Sequence, residues 1–149
     1  MYRHIIILLA AVLCVAACSN SGKSKAQTAA QNTAIDSSRK ITAYYFHTTK
    51  RCASCYKIET YSKEAIDNGF ADAISKGQIE WKMVNTDEPA NKHFVEDYQL
   101  FTKSLVLVET KDGQQVRWKL CGKVWEYLND KPKFMAYVQK EVGDYLSGS

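Results

Sequence analysis

Proline occurs only twice in 149 residues and glycine only seven times, and neither clusters. No GxGxxG and no P-loop is present, so the chain lacks those backbone cradles for phosphate. No apolar run reaches the ~20 residues that a membrane-spanning helix needs. The 20 Lys and Arg exceed the 16 Asp and Glu by only four, and no run concentrates the excess. A nucleic-acid binder shows such a concentrated basic face, so no nucleic-acid partner is expected. Five cysteines are too few for a disulfide scaffold of this length, so each is judged by position. No internal repeat, paired-carboxylate site or Ser-His-Asp arrangement stands out. What is present, 46% hydrophobic and 24% charged residues, suits one folded domain.

Residues 1–17 read as an address. Arg3 and His4 give a positive start, and residues 5–15 are eleven uncharged, apolar positions. That length fits the apolar region of a signal peptide. Val15-Ala16-Ala17-Cys18 then places small residues directly before a cysteine. This resembles the lipobox of bacterial lipoproteins, in which the cysteine sulfur receives a diacylglycerol and becomes the new N-terminus. Cys14 does not fit that role, because bulky Leu13 precedes it. An ordinary cleaved signal and a short anchor helix are the alternatives. The expected product is an exported lipoprotein on the periplasmic face of a membrane or at the cell surface. By the same resemblance, Ser19 rather than Asp speaks for the outer membrane. Residues 18–40 are rich in Ser, Ala, Gln, Asn and Thr, with Ile35 the only large apolar side chain, and read as a lipidated flexible tether. About twenty such residues reach roughly 25 Å.

Residues 41–149 form the expected domain. Residues 41–46 are β-branched and aromatic, as in a strand. Cys55, Ile58, Ser62, Ala65 and Ile66 fall at helical spacing, with Gly69 expected just past the helix end. Residues 78–84 read as a second strand, and Asp87-Glu88-Pro89 as a helix start whose apolar side is Phe94, Val95 and Tyr98. Leu105 to Val108 is an apolar run suited to a strand buried on both faces. Lys111-Asp112-Gly113 signals a hairpin, with residues 115–120 returning. Asp130 can cap a last helix with Pro132 near its first position, presenting Phe134, Tyr137, Val138, Val142 and Tyr145. The order implies an α/β fold, a mixed four-stranded sheet flanked by helices.

The chemistry concentrates at Cys52-Ala53-Ser54-Cys55. Two thiols three apart on a first helical turn come within disulfide reach. The free N–H groups and dipole of a helix start favour a thiolate, the reactive form. Lys50 and Arg51 add positive charge beside Cys52. Cys52, at the helix start, is the expected nucleophile, and Cys55, one turn in, the resolving thiol. A CxxC is also half of a zinc site or an inert disulfide, and both readings stay open. No second CxxC and no HxxxH accompanies it.

Strand, CxxC and helix in this order resemble the thioredoxin-like fold, lacking the extra N-terminal strand and helix of full thioredoxins. More narrowly, Tyr45-Phe46-His47-Thr48-Thr49-Lys50-Arg51-Cys52-Ala53-Ser54-Cys55 followed by Ile58-Glu59 resembles the family of nitrophenyl-compound nitroreductase subunits of the ArsF type. The resemblance implies a disulfide-reductase-like domain acting on a disulfide-bearing protein. It also implies a membrane electron donor or permease similar to cytochrome c biogenesis proteins. No bound cofactor is implied. A non-catalytic subunit docked on such a permease is a further alternative. Thioredoxins carry a buried Asp six residues before the first active cysteine, and that position here is Phe46. They also carry a cis-proline before the third core strand, where this chain has Thr102-Lys103-Ser104-Leu105. Loss of that proline opens the dithiol to metal, and Lys103 in its place puts a cation near Cys52.

Other candidates are set against plainer roles. Cys121 is either a third thiol, completing a Cys52, Cys55 and Cys121 site for arsenite or copper(I), or a small buried hydrophobe. His47 is either a proton donor beside the dithiol or a histidine bonded to backbone. His93 reads as surface. Tyr44, Tyr45, Trp81, Trp118 and Trp125 read as packing, with Trp125 and Tyr56 a candidate rim around the thiols. Glu59, Glu64, Asp67 and Asp72 read as a solvated helical face.

Overall fold

The structure, a computed structural model, describes residues 38–148. The expected signal segment, the expected lipidation position Cys18 and the expected tether up to residue 37 lie outside the described residues. Strand β1 spans Arg39–His47, β2 Ile79–Asn85, β3 Ser104–Lys111 and β4 Gln114–Leu120. Helices α1 (Ala53–Gly69), α2 (Ala71–Ser75), α3 (His93–Asp97), α4 (Lys123–Glu126) and α5 (Lys131–Ser147) connect and flank them. The strand order is β2-β1-β3-β4, with β1 parallel to β2 and the other pairs antiparallel. A β-α-β unit, a hairpin and a closing helix, with CxxC where α1 opens, make this the thioredoxin-like α/β arrangement.

β1 begins two residues earlier than the tether boundary at residue 40 suggests, because Arg39 and Lys40 already pair with Lys111 and Thr110. Arg39 is drawn in by chemistry as well as by the ladder. Its guanidinium pairs with Glu109 and donates to the Tyr145 and Leu146 carbonyls at the end of α5. Those carbonyls belong to the last turn of α5, where Tyr145 also accepts from the Gly148 N–H at 3.4 Å, so Arg39 adds a side-chain cap to a backbone one.

The sheet has two covered faces. Ile41, Ala43, Tyr45, Leu105 and Leu107 meet α1 and α5 through Ile58, Ala65, Ile66, Phe134, Val138 and Val142. Phe46, Val84, Val106 and Val108 form the other core with Tyr98 and Leu100. Each Ile, Leu, Val or Phe side chain among these stabilises the fold by about 1.5–3 kcal/mol on burial. Among the described residues the second face carries only the short α3, and aromatic rings complete it: Phe46 and Phe94 lie 5.3 Å apart and Tyr98 and Trp118 5.4 Å apart.

The expected buried set of α1 is the observed one: Cys55, Ile58, Ser62, Ala65 and Ile66. Gly69 differs from expectation. It is the last residue of α1 rather than a left-handed residue beyond it. A Cβ there would meet the Gln139 side chain at 3.1 Å, so the glycine admits α5 closely. Asp112 and Gly113 both take positive φ, 52° and 79°, as a two-residue hairpin turn needs. The helix expected after Pro89 is broken into a 3₁₀ turn and the five-residue α3, which leaves Val95 exposed. Asp130 caps α5, its carboxylate accepting from the Lys133 N–H at 3.1 Å.

Candidate functional site: a dithiol at the mouth of α1

Cys52 occupies the N-cap of α1 in an extended conformation, and Cys55 begins the buried stripe of that helix. The two sulfurs face each other 2.6 Å apart. Cys52 is exposed and Cys55 is buried. One sulfur is therefore open to a partner, and the other is shielded behind it.

The Cys52 thiol sits below its ordinary value of 9.0. The main cause is the Cys55 side chain, followed by the backbone N–H groups of Cys55 and Ser54 at the helix opening. Neither Lys50 nor Lys103 is among the leading causes. The stabilisation of the thiolate is local to the turn.

Arg51 has a definite place. Its guanidinium pairs with Glu59, lies 4.3 Å from the centre of the Tyr56 ring and 5.7 Å from that of Tyr45. Glu59 is thus not a solvated-face residue, whereas Glu64, bound to Lys131 at 2.7 Å with both side chains partly exposed, is one. Asp67 pairs with Lys63 at the surface, and Asp72 is exposed. The Tyr56 ring is exposed and carries Arg51 on one face.

His47 ends β1, its Nδ1 3.1 Å from the Thr48 carbonyl and its ring 6.1 Å from that of Tyr45. The Thr49 N–H donates to Asp87 at 2.8 Å, which fastens the loop before Cys52 to the end of β2. Lys103 and His47 both act on Asp87 electrostatically. The loop at 101–103 leads into Ser104, which pairs with Phe46, so it lies at the dithiol end of the sheet. The Lys103 carbonyl accepts from Trp125 Nε1 at 2.9 Å, a bond that holds this loop against α4. Phe101 at its tip is 95% exposed. A cavity of about 140 Å³ lies between this loop and Leu120, Cys121, Val124 and Trp125.

Cys121 does not join the dithiol. It is buried in the core beneath α4 and α5, and burial pushes its thiol up to about 12. Its charged and hydrogen-bonding neighbours are Glu141, Lys119 and Tyr137. Among the described residues no group of three His, Cys, Asp or Glu side chains is placed to hold a metal. The alternative three-sulfur site of Cys52, Cys55 and Cys121 is not formed among these residues, and Cys121 instead has Lys119 of β4 and Tyr137 and Glu141 of α5 around it.

One contributor escaped the sequence. Counting six residues back from Cys52 leads to Phe46, which faces the opposite core. The side chain that reaches the dithiol is Tyr45, whose buried hydroxyl donates to the Cys55 carbonyl at 2.7 Å. Burial raises that phenol to about 12.

Fold and site together define a thioredoxin-like domain with one dithiol at a helix mouth. Among solved structures the chain is similar to thioredoxin of Fasciola hepatica, with 19% identity over 60% of this chain and 79% of that one and a TM-score of 0.35. It is similar to oxidised thioredoxin of Plasmodium falciparum at 17% identity, covering 68% and 86%, TM-score 0.37. It is also similar to thioredoxin O2 of Arabidopsis thaliana at 16%, covering 70% and 85%, TM-score 0.38. No family model and no curated protein matches the chain.

Proposed function

We propose that the chain is a thiol–disulfide oxidoreductase, tethered outside the cytoplasm by a lipid on Cys18. The observation that carries the activity is the pairing of an exposed, acidified Cys52 sulfur with a buried Cys55 sulfur 2.6 Å away. The Cys52 thiolate attacks one sulfur of a partner's disulfide. That S–S bond breaks, and the other partner sulfur leaves with the electron pair and takes up a proton. Cys55 then loses its proton to water and attacks Cys52, which releases the reduced partner and leaves the Cys52–Cys55 disulfide. A membrane electron donor of the permease type restores the dithiol, since NADPH is absent outside the cytoplasm.

The lipobox-like Val15-Ala16-Ala17-Cys18 and the polar stretch after it support the tethered location. The compartment permits disulfides, the substrate this chemistry needs. Replacing Cys55 by Ser halts the cycle at the mixed disulfide. Expression of that variant is expected to trap a partner in a bond that reductant releases and that the Cys52→Ser variant does not form. Absence of any Cys52-dependent adduct overturns the activity. A wild-type chain that incorporates no labelled fatty acid at Cys18 overturns the anchor and leaves the activity standing.

A further inference from the structure

We propose that Tyr45 is a positioning residue of the dithiol, its buried hydroxyl holding the Cys55 carbonyl so that the Cys55 sulfur stays aimed at Cys52 in the resolving step. This rests on the oxidoreductase reading above. Tyr45 is completely buried, and its hydroxyl bond to Cys55 is buried with it. The strand beneath it is fixed on both sides, Tyr45 pairing with Met83 of β2 and with Leu105 of β3. Its ring is stacked against Trp81 at 6.3 Å and carries Arg51 on the other contact. Both thiols and Arg51 act electrostatically on the phenol, so it lies under the reacting pair. The hydroxyl has a second polar neighbour, the Arg51 side chain, whose charge and hydrogen bonding oppose the effect of burial on the phenol. Here the oxygen links the central strand to the residue that must move a sulfur.

The step it serves follows formation of the mixed disulfide. The Cys55 S–H gives its proton to water, and its sulfur bonds to the Cys52 sulfur. The bond from Cys52 to the partner breaks, and its electron pair leaves on the partner sulfur, which takes up a proton. The attacking sulfur must approach in line with the breaking bond, so drift of the first helical turn slows it. The phenol stays neutral at ordinary pH, so it acts as a donor and not as the base.

A symmetric aromatic disulfide, 5,5′-dithiobis(2-nitrobenzoate), separates the two steps, because attack by Cys52 releases one chromophore and resolution by Cys55 releases the second. In the Tyr45→Phe variant of the full chain the first release, measured above pH 9.0 where Cys52 is ionised whatever Cys55 contributes, is expected to keep its wild-type rate. The second is expected to slow by about tenfold, the upper end of what one neutral hydrogen bond is worth. The dithiol–disulfide constant is expected to fall by the same factor, which raises the reduction potential by about 30 mV. Placing 3,5-difluorotyrosine at position 45 keeps the shape and strengthens the donor. It is expected to quicken the second release and lower the potential, and it decides the matter if the Phe variant does not fold. Unchanged second release and potential in the folded variant overturn the proposal. So does an equal loss in both steps together with a fall in melting temperature, which marks a structural role. A wild-type chain that releases no chromophore overturns the oxidoreductase reading itself. Two-step release by wild type with an unaltered variant sinks only the role of Tyr45.

Discussion

The Arg51 guanidinium, in the loop before α1, is locked to the Glu59 carboxylate in the second turn of that helix, with only 12% and 22% of the two side chains exposed. It is further sandwiched against Tyr56. This clamp ties the residue before Cys52 to the body of the helix that carries Cys55. Removing the carboxylate leaves a largely buried guanidinium without its counter-ion, which is the expensive way to break an ion pair. The Glu59→Gln variant is expected to lose about 1–2 kcal/mol in urea unfolding, between the values for exposed and buried pairs. A loss below a few tenths would show that the pair is a solvated surface contact.

The acidity of Cys52 gives a pH signature. Its folded value is lowered, first by Cys55 and then by the α1 amides. Alkylation of the reduced protein by iodoacetamide is expected to reach half its maximal rate below pH 9.0, the ordinary value. Stability of the reduced protein follows the same group. A depressed folded value favours the native state above the unfolded value, and that contribution is lost as pH falls through the folded one. Reduced-state stability should therefore rise with pH between the lowered value and 9.0. The Cys52→Ser variant should lack both features, and an alkylation midpoint at or above 9.0 in wild type would contradict them.

The sequence made α1 legible because its buried face repeats at helical spacing, and it made the hairpin legible because Asp112-Gly113 supplies two residues that tolerate positive φ. It concealed α2 and α4, which at five and four residues are too short to display a period. The facing of Tyr45 was concealed for a different reason. β1 is a central strand, and Ile41, Thr42, Ala43, Tyr45 and Phe46 are all buried, so no alternation marks which residue looks toward the dithiol. The Arg51–Glu59 clamp joins residues eight apart across a loop–helix junction, a spacing that belongs to neither helix nor strand pairing rules. Cys121 lies just beyond a legible strand, yet only the chain path after β4 decides that its thiol enters the core.

Cys121 should behave as an inert part of that core. With its thiol pushed up to about 12, it is expected to resist alkylation in the folded protein while Cys52 reacts. A raised folded value means that its contribution is complete below the unfolded value of 9.0 and is lost as pH rises toward 12. The Cys121→Ala variant is expected to lose roughly 1–2 kcal/mol, for one heavy atom removed from a packed site. Its dithiol potential and arsenite stoichiometry should match wild type. A change in either would return Cys121 to the reactive site.

Asp87 governs the loop that presents the dithiol. It accepts the Thr49 N–H at 2.8 Å, and that bond, ahead of the other causes, holds its carboxyl below the ordinary 3.8. A depressed carboxylate stabilises the native loop above pH 3.8, and the effect is lost as pH falls through the lowered folded value. Hydrogen exchange at the Thr49 amide reads this directly. The Asp87→Ala variant is expected to exchange that amide about tenfold faster near neutral pH, since a bond to a charged acceptor is worth at least that factor. Wild type should lose the protection on acidification while the variant, lacking it throughout, shows no such step. Because the loop runs from Thr49 into Cys52, the same variant should also blur the first turn of α1, seen as faster exchange at Ser54 and Cys55. Equal exchange at Thr49 in both proteins would mean that the loop is held by its other bonds, such as that of the Asn85 side chain to the Thr49 hydroxyl at 3.1 Å, and that Asp87 has no part in presenting the nucleophile.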